Sequence, residues 1–534
     1  MIQPLFYKPL DQTHLVPPIV KDYLDKSNLL EKYVSSWHQT NGIEEAMANR
    51  RFSAEQRVIL RDGLNQQYAH ADIQLNTSDA TFSNIESLVS PNTFTITTGH
   101  QLSLFGGTLF MGYKILTAIK LALDLQAKFP SKKFVPILWL ASEDHDFEEI
   151  KGTYLFGKNL DWHIDSNGKA TGQIAIQDME NLLDEIAGLL GNHPHAETWV
   201  QKIKEAYLNS ENLGKATLRF YHTLFQEFGL VIIDPNRVEY KKILLPVILA
   251  DVLKQKSYET QLISDQVLAT HYKLQIHARP INFFYLVPGG ARKLLKPFEN
   301  GFKAGEDGPV FSVDEMELEI NQYPERFSPN VNLRPVFQEM ILPNLAYVGG
   351  PAEVGYWLQL KSIFDLYETP FPLVALRFMN VLLGGGLKEK VEKMGLEVQD
   401  LLNSETELTQ KYLLKTQSLN YPVQTQELLD QMQVLIDQVK NMDLVLGKDF
   451  LESKLGLKDF FKSKSGAIKR SMEQHEAAQI EKLLKFRTRL FPNGVLQERI
   501  ETVMQYEVML KEPILNNLLN LIEPLSGKLL FSTY

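Results

Sequence analysis

The sequence predicts an α/β protein in which a parallel-sheet core carries insertions and is followed by an antiparallel α-helical coiled coil. Two observations predict it. A strand, helix, strand unit runs from Phe94 to Leu140, and an a/d seam of Leu428, Met432, Leu435, Val439, Met442 and Leu446 is spaced four, three, four, three, four. The domain boundaries that follow are a core over 1–385, with insertions over about 154–225 and 255–330. A helical arm covers 386–515, and a C-terminal segment, 516–534, returns to the core.

The first 90 residues show mixed helical periodicity, as in Ile43 to Asn65, with the turn signal Val16-Pro-Pro18 between pieces. Phe94 to Thr98 is a β-rich run ending at Gly99. A glycine-containing loop follows, and then Leu109, Tyr113, Leu116, Ile119, Lys120 and Leu123 recur at helical spacing to about Lys128. Phe134 to Leu140 is the short apolar run of a buried parallel strand. Both strands of such a unit end on the same rim of the sheet. Gly229 to Ile233, Phe283 to Val287 and Leu373 to Leu376 are further strands, and Tyr154 to His195, rich in turn residues, reads as inserted. Beyond Gly384-Gly-Gly386 the composition turns to Glu, Gln, Lys and Leu. A second helical stretch, Phe450 to about Leu490, folds back on the seam helix, with a break near Gly447 and a stop at Pro492-Asn-Gly494. Lys528 to Tyr534 has strand composition.

At 534 residues, 44% hydrophobic and 22% charged, the chain has a globular composition. A formal charge of −10 disfavours nucleic acid as a partner. Cysteine is absent, which excludes disulfides, thiolate zinc sites and a cysteine nucleophile. Met1 to Lys8 lacks the pattern of a signal peptide, and no apolar run reaches the roughly 20 residues that span a bilayer. A soluble, cytoplasmic protein with no membrane partner is expected.

Three stretches carry residue types suited to chemistry. In Thr97 to Gly107, Thr98, Gly99, His100, Gln101, Gly106 and Gly107 lie between a strand and a helix start, where free amides suit a phosphate. The spacing matches neither the dinucleotide fingerprint nor the P-loop, and glycines that merely permit tight turns are the competing reading. Glu143-Asp144-His145-Asp146 crowds carboxylates and an imidazole at a strand end, so their repulsion calls for a cation, an amine or hydrogen bonds. An acidic first helical turn is the plainer alternative. In the third stretch Gly349-Gly350-Pro351 precedes a helix with Glu353, Tyr356 and Trp357, suited to close backbone approach, an amine contact and an aromatic wall, or else to a buried turn. Upstream, Arg326, Asn330 and Arg334 are candidate donors to a carboxylate or phosphate.

Taken together, Thr98-Gly-His-Gln101, Leu104-Phe-Gly-Gly107, Trp139-Leu-Ala-Ser-Glu-Asp-His-Asp-Phe147, Glu325-Arg-Phe-Ser-Pro-Asn330, Leu333-Arg-Pro335, Ala346-Tyr-Val-Gly-Gly-Pro351 and Leu490-Phe-Pro-Asn-Gly494 resemble the cysteine-adding enzymes of bacillithiol biosynthesis. The matches run in order along nearly the whole chain. The resemblance implies a Rossmann-type core similar to class I aminoacyl-tRNA synthetases, with connecting-peptide insertions, and a homodimer through the coiled coil. It implies an ATP-dependent ligase, with magnesium and no structural metal, that joins cysteine to glucosaminyl-malate. The cofactor-binding residues would be Thr98, Gly99, His100, Gln101, Gly106 and Gly107, and the catalytic ones Asp144, His145 and Asp146. Arg326, Asn330, Arg334, Gly349, Gly350, Glu353, Tyr356 and Trp357 would bind substrate. The chain departs from the family pattern at His100, where the family carries Gln, and at Thr108, where it carries Pro. A metabolite-sensing dimeric scaffold and a metal-dependent hydrolase built on the His and carboxylate cluster are the alternative readings.

Overall fold

The computed structural model describes residues 2–416 and 421–534, so 417–420 of the predicted arm lie outside the described residues. The chain divides into two compact units, Met1–Val381 with Glu498–Tyr534, and Leu382–Gln497.

The first unit is built on five strands: β1 (Thr93–His100), β2 (Lys133–Leu140), β3 (Val231–Ile233), β4 (Asn344–Gly349) and β5 (Leu373–Leu376). All neighbours are parallel, in the order β5-β4-β1-β2-β3. Helix α1 (Leu109–Lys128) joins β1 to β2, α2 (Arg334–Ile341) leads into β4, and α3 (Pro351–Gln359) leaves it. A parallel sheet covered on both faces needs strands that are apolar throughout, and β3, β4 and β5 are buried at every position. Helix α1 is buried on nearly all sides from Leu109 to Ala122, so its spacing understated its burial; of the periodic set, Leu123 is the one that faces out, half exposed. From β1 the chain winds through β2 and β3 to one side, and β4 and β5 then fill the other. The order therefore reverses between β1 and β4, leaving a crevice beyond their carboxyl ends.

Three elements depart from the sequence reading. The sequence marks only the Gly349-Gly350-Pro351 turn ahead of a helix, yet the residues leading into that turn form the interior strand β4: Asn344 is buried there because the Thr95 and Thr97 hydroxyls donate to its Oδ1 and its own amide donates to Glu339. Phe283–Leu286 is a strand, but of a separate antiparallel sheet inserted between β3 and β4, in the order Val310–Ser312, Gly301–Ala304, Arg292–Phe298, Phe283–Leu286, Phe327–Pro329. Gln3–Pro9, read as part of a helical approach, is a strand antiparallel to Lys528–Thr533, with Phe6 stacked on Phe531 at 4.7 Å.

The second unit contains α4 (Tyr421–Met442), α5 (Leu444–His475) and α6 (Ala477–Leu490). The first two form an antiparallel hairpin: Lys454 reaches Gln433, and Gly447 packs against Lys440, both pairs centred on the turn at Asp443. Asp443 ends one helix and caps the next, its carboxylate accepting from the Val445 and Leu446 amides. The break expected near Gly447 thus falls four residues earlier, at Asp443; a Cβ at Gly447 would lie 2.9 Å from the Lys440 Cα, so glycine there permits the close approach of the helices. The seam also shifts. Leu429 and Ile436 are buried and Met432 and Val439 half-buried, whereas Leu428, Leu435, Met442 and Leu446 are 41%, 46%, 87% and 46% exposed. Ile436→Ala should accordingly destabilise this unit by about 2–5 kcal/mol, and Val434→Ala, at a position 60% exposed, by less than about 0.5 kcal/mol, measured by thermal melts followed by circular dichroism.

Among the described residues no helix is long and apolar enough to cross a membrane.

Candidate active site

The crevice at the strand-order reversal opens into a cleft of about 590 Å³. The end of β1 supplies Gly99, His100 and Gln101, and the loop after β2 supplies Glu143, Asp144, His145 and Asp146. Asn330 comes from the turn between the Phe327–Pro329 strand and α2, Arg334 from the first position of α2, and Gly350, Glu353 and Tyr356 from the N-cap and body of α3. Strand register brings the first two groups together, since Gly99 pairs with Trp139 and His100 with Leu140.

The acidic stretch is divided by its surroundings. Glu143 is buried and pairs with Lys241, a fully buried lysine that also donates to the Phe327 carbonyl at 2.8 Å. Asp144 accepts from Gln101 Nε2 at 2.8 Å and from the backbone amides of His145 and Asp146 at 2.7 and 3.3 Å, with Arg292 3.8 Å away. Burial raises its pKa, but the hydrogen bonds it accepts from Gln101 and from the backbone amides, with the Arg292 charge, outweigh that and hold it well below the usual carboxylate range. Asp144 is thus a fixed anion that orients its neighbours. Asp146 stays exposed, available to a ligand cation. Arg292 is itself fixed, lying 3.8 Å over the Phe284 ring and donating to Ser328, with its Nη1 3.0 Å from His145 Nδ1.

On the opposite wall Glu353 is the hub. Lys114 Nζ lies 2.8 Å from its Oε2, Tyr347 donates at 2.7 Å, and the Gly350 amide donates at 2.8 Å. Burial raises the Glu353 pKa, yet Lys114 and these hydrogen bonds overcome it and bring it to about 2. The same lysine donates to the Gly99 carbonyl at 2.5 Å, tying α1 to the end of β1. Arg334 donates to Gln338 through Nη1 and sits 5.5 Å from the Tyr347 ring, and its buried Nη2 has no acceptor. Arg377, 2% exposed, forms a two-pronged pair with Glu498 while its Nε has no acceptor. Arg279 and Arg499 also line the cleft. Several arginines and an acidic rim thus share one cavity, suited to a ligand with both anionic and cationic groups.

Two family models match the chain: the N-terminal Rossmann-like domain of bacillithiol biosynthesis BshC over residues 7–378, and the BshC C-terminal coiled-coil domain over 381–531. The chain belongs to the BshC family. Relatives that carry the name "Putative cysteine ligase BshC" occur in Flavobacterium johnsoniae, 33% identical over 95% of both chains, and in Flavobacterium psychrophilum, 34% identical over 95% of this chain and 96% of the relative. Another, from Christiangramia forsetii, is 31% identical over 98% of both.

Within this BshC chain, six of the residues singled out from sequence do not line the cleft. Gly106 and Gly107 turn at φ of 88° and 67° beside a small apolar cavity near Phe220 and Leu224. The amides around them are also engaged: Phe105 donates to Tyr207, Gly107 to the Leu104 carbonyl, and Leu109, first in α1, to the Glu501 carbonyl. That half of the loop presents no phosphate cradle. Thr98 is buried within β1, its hydroxyl donating to the Val348 carbonyl. Arg326 pairs with Glu319 and stacks on Tyr323. Trp357 is a core residue stacked on Tyr347 at 4.2 Å. Gly349 lies behind the wall, where a Cβ would meet that of Glu353 at 3.0 Å. Asn330 does line the cleft, but both ends of its amide bind Asn282 and Asn332.

Sequence reasoning missed Lys114, Lys241, Arg292 and Arg377. Only Lys114 left a signal, as a lone cation in the otherwise apolar first turns of α1. The others owe their place to partners far along the chain. For the hydrolase alternative, no group of three or more His, Asp or Glu side chains gathers as a metal-ligand set among the described residues. Glu143 and Asp144 are committed to Lys241 and Gln101.

Proposed function

We propose that this chain is an ATP-dependent carbon–nitrogen ligase that adds L-cysteine to glucosaminyl-malate to form bacillithiol. The observation that carries the reading is the cleft at the strand-order reversal of a BshC-family core, lined by Arg334 and Arg377, each with one buried donor atom that no protein acceptor meets, and by the exposed Asp146. Amide formation requires a carboxylate whose oxygen has become a good leaving group. ATP, taken as its magnesium complex, would activate the cysteine carboxylate, and the glucosamine amine would attack it. The cleft arginines would offset the negative charge that grows on the activated carboxyl group in the transition state. Asp146 would meet an ammonium group, while Asp144 would hold Gln101, His145 and Arg292 in position.

Purified protein given ATP, cysteine and glucosaminyl-malate should release AMP or ADP and form a product of the ligated mass. Asp144→Asn should slow this by about 10²-fold or more. Absence of turnover over broad conditions, together with a normal thiol pool in a deletion strain, would sink the proposal.

The same reading includes a homodimer. The exposed row of Leu428, Leu435, Met442 and Leu446 along α4 and α5 supports pairing of two hairpins. Leu435→Glu with Met442→Glu should convert a dimer to monomers in sedimentation experiments; an unchanged mass would exclude this face.

A further inference from the structure

Two imidazoles line the cleft, His100 and His145, and their surroundings are opposite in kind. Nδ1 of His100 lies 3.1 Å from the Gln101 carbonyl oxygen, which can only accept, so Nδ1 carries the proton. The Ser103 hydroxyl, 3.4 Å away, faces the same nitrogen. Nε2 of His100 makes no hydrogen bond to the described protein and is not among the buried unpartnered atoms, so it presents a bare lone pair to the cleft. At His145 the order is reversed. Its Nδ1 faces Arg292 Nη1 at 3.0 Å, and a guanidinium only donates, while the Asp144 carboxylate, 3.6 Å from the same nitrogen, lies beyond hydrogen-bond distance; Nδ1 therefore accepts and the proton sits on Nε2. Arg292 is held there by Phe284, Ser328 and the Pro329 carbonyl.

We infer that the cleft sorts its two reacting groups with neutral histidines in opposite tautomers: His100 Nε2 accepts an N–H of the attacking amine, and His145 Nε2–H donates to an oxygen of the activated carboxyl group. The inference rests on the ligase reading for the identity of those groups, and on hydrogen bonds alone for the tautomers. The groups facing His100 are Lys114 and Glu353, paired with each other, and burial with the Lys114 charge lowers its pKa to about 4. It therefore remains an acceptor throughout the range in which cells work, and is no cation for a phosphate.

The test uses full-length protein with ¹⁵N-labelled histidine rings. The His100 and His145 signals, among those of twelve histidines, are assigned by their loss in His100→Gln and His145→Gln. Long-range proton–nitrogen spectra at pH 7 should show His100 protonated at Nδ1 and His145 at Nε2. Glucosaminyl-malate should move the His100 Nε2 resonance, and its 2-deoxy analogue, which carries hydrogen in place of the amine, should not. His100→Leu should weaken glucosaminyl-malate binding about fivefold to tenfold by calorimetry, and His100→Gln, which keeps an acceptor, by less than about threefold. Like tautomers, a cationic His100 at pH 7, or equal binding of glucosaminyl-malate and its 2-deoxy analogue would overturn the inference. None of these measurements needs turnover, so a chain that passes them and fails to ligate would count against the ligase reading alone.

Discussion

Replacing Glu498 by Gln should lower the stability of the first unit by about 3–5 kcal/mol, among the largest single-residue effects expected for this chain. The pair it breaks is almost completely dry, with Arg377 and Glu498 side chains 1% and 0% exposed and their prongs at 2.5 and 3.1 Å. The substitution keeps shape and volume and removes only charge, so the guanidinium is left buried without a counter-ion. The double variant Arg377→Met with Glu498→Leu removes both charges and should recover a large part of the loss. Urea unfolding of the wild type, Arg377→Met, Glu498→Leu and their double variant, with Glu498→Gln alongside, measures this, and a strictly additive result would mean that the pair is not coupled. The consequence reaches the cleft, because Arg377 also carries one of its unpaired donor atoms.

Lys114→Met is the second large effect, of about the same size, and it should depend on pH. The variant leaves Glu353 with the Tyr347 hydroxyl and the Gly350 amide but no cation. In the folded wild type the Glu353 pKa falls from an ordinary 4.5 to about 2. A carboxylate whose pKa is depressed by folding contributes stability that is complete above the unfolded pKa and vanishes as pH falls through the folded one. The difference in unfolding free energy between wild type and Lys114→Met should thus be full at pH 7 and shrink from about pH 4.5 toward pH 2. Urea titrations of both proteins at pH 7, 5 and 4 check it. A difference that stays constant to pH 4 and below would assign the effect to lost packing instead of the ion pair.

The first strand, helix and strand were legible because each is specified locally. Thr93–His100 and Lys133–Leu140 are runs that only a covered parallel strand suits, and their ends bring Gly99 to Gln101 beside Asp144 by register alone. Asn344–Gly349 was not legible as a central strand. An asparagine is costly inside a sheet unless it is paired, and its partners, Thr95, Thr97 and Glu339, come from β1 and α2. The arm shows the same limit in another form. Leu428 beside Leu429, and Leu435 beside Ile436, offer two apolar stripes one residue apart, and the heptad period is common to both. Which stripe becomes the seam is set by the facing helix, where Gly447 lets α5 approach Lys440 and rotates Leu429 and Ile436 inward.

By itself, then, the sequence determined the strand-helix-strand rim, the helical arm and the stretches from which the cleft is drawn, since all of these follow from periodicity and residue type over short spans. Tertiary structure alone decided which members of those stretches face the cleft. Glu143 is taken up by Lys241, Arg326 by Glu319 and Trp357 by Tyr347, whereas Asp146, Arg334 and His100 remain turned toward a ligand. The physical reason is that a charge or ring is committed by whichever partner meets it across the fold, and several of these partners lie far away in the chain.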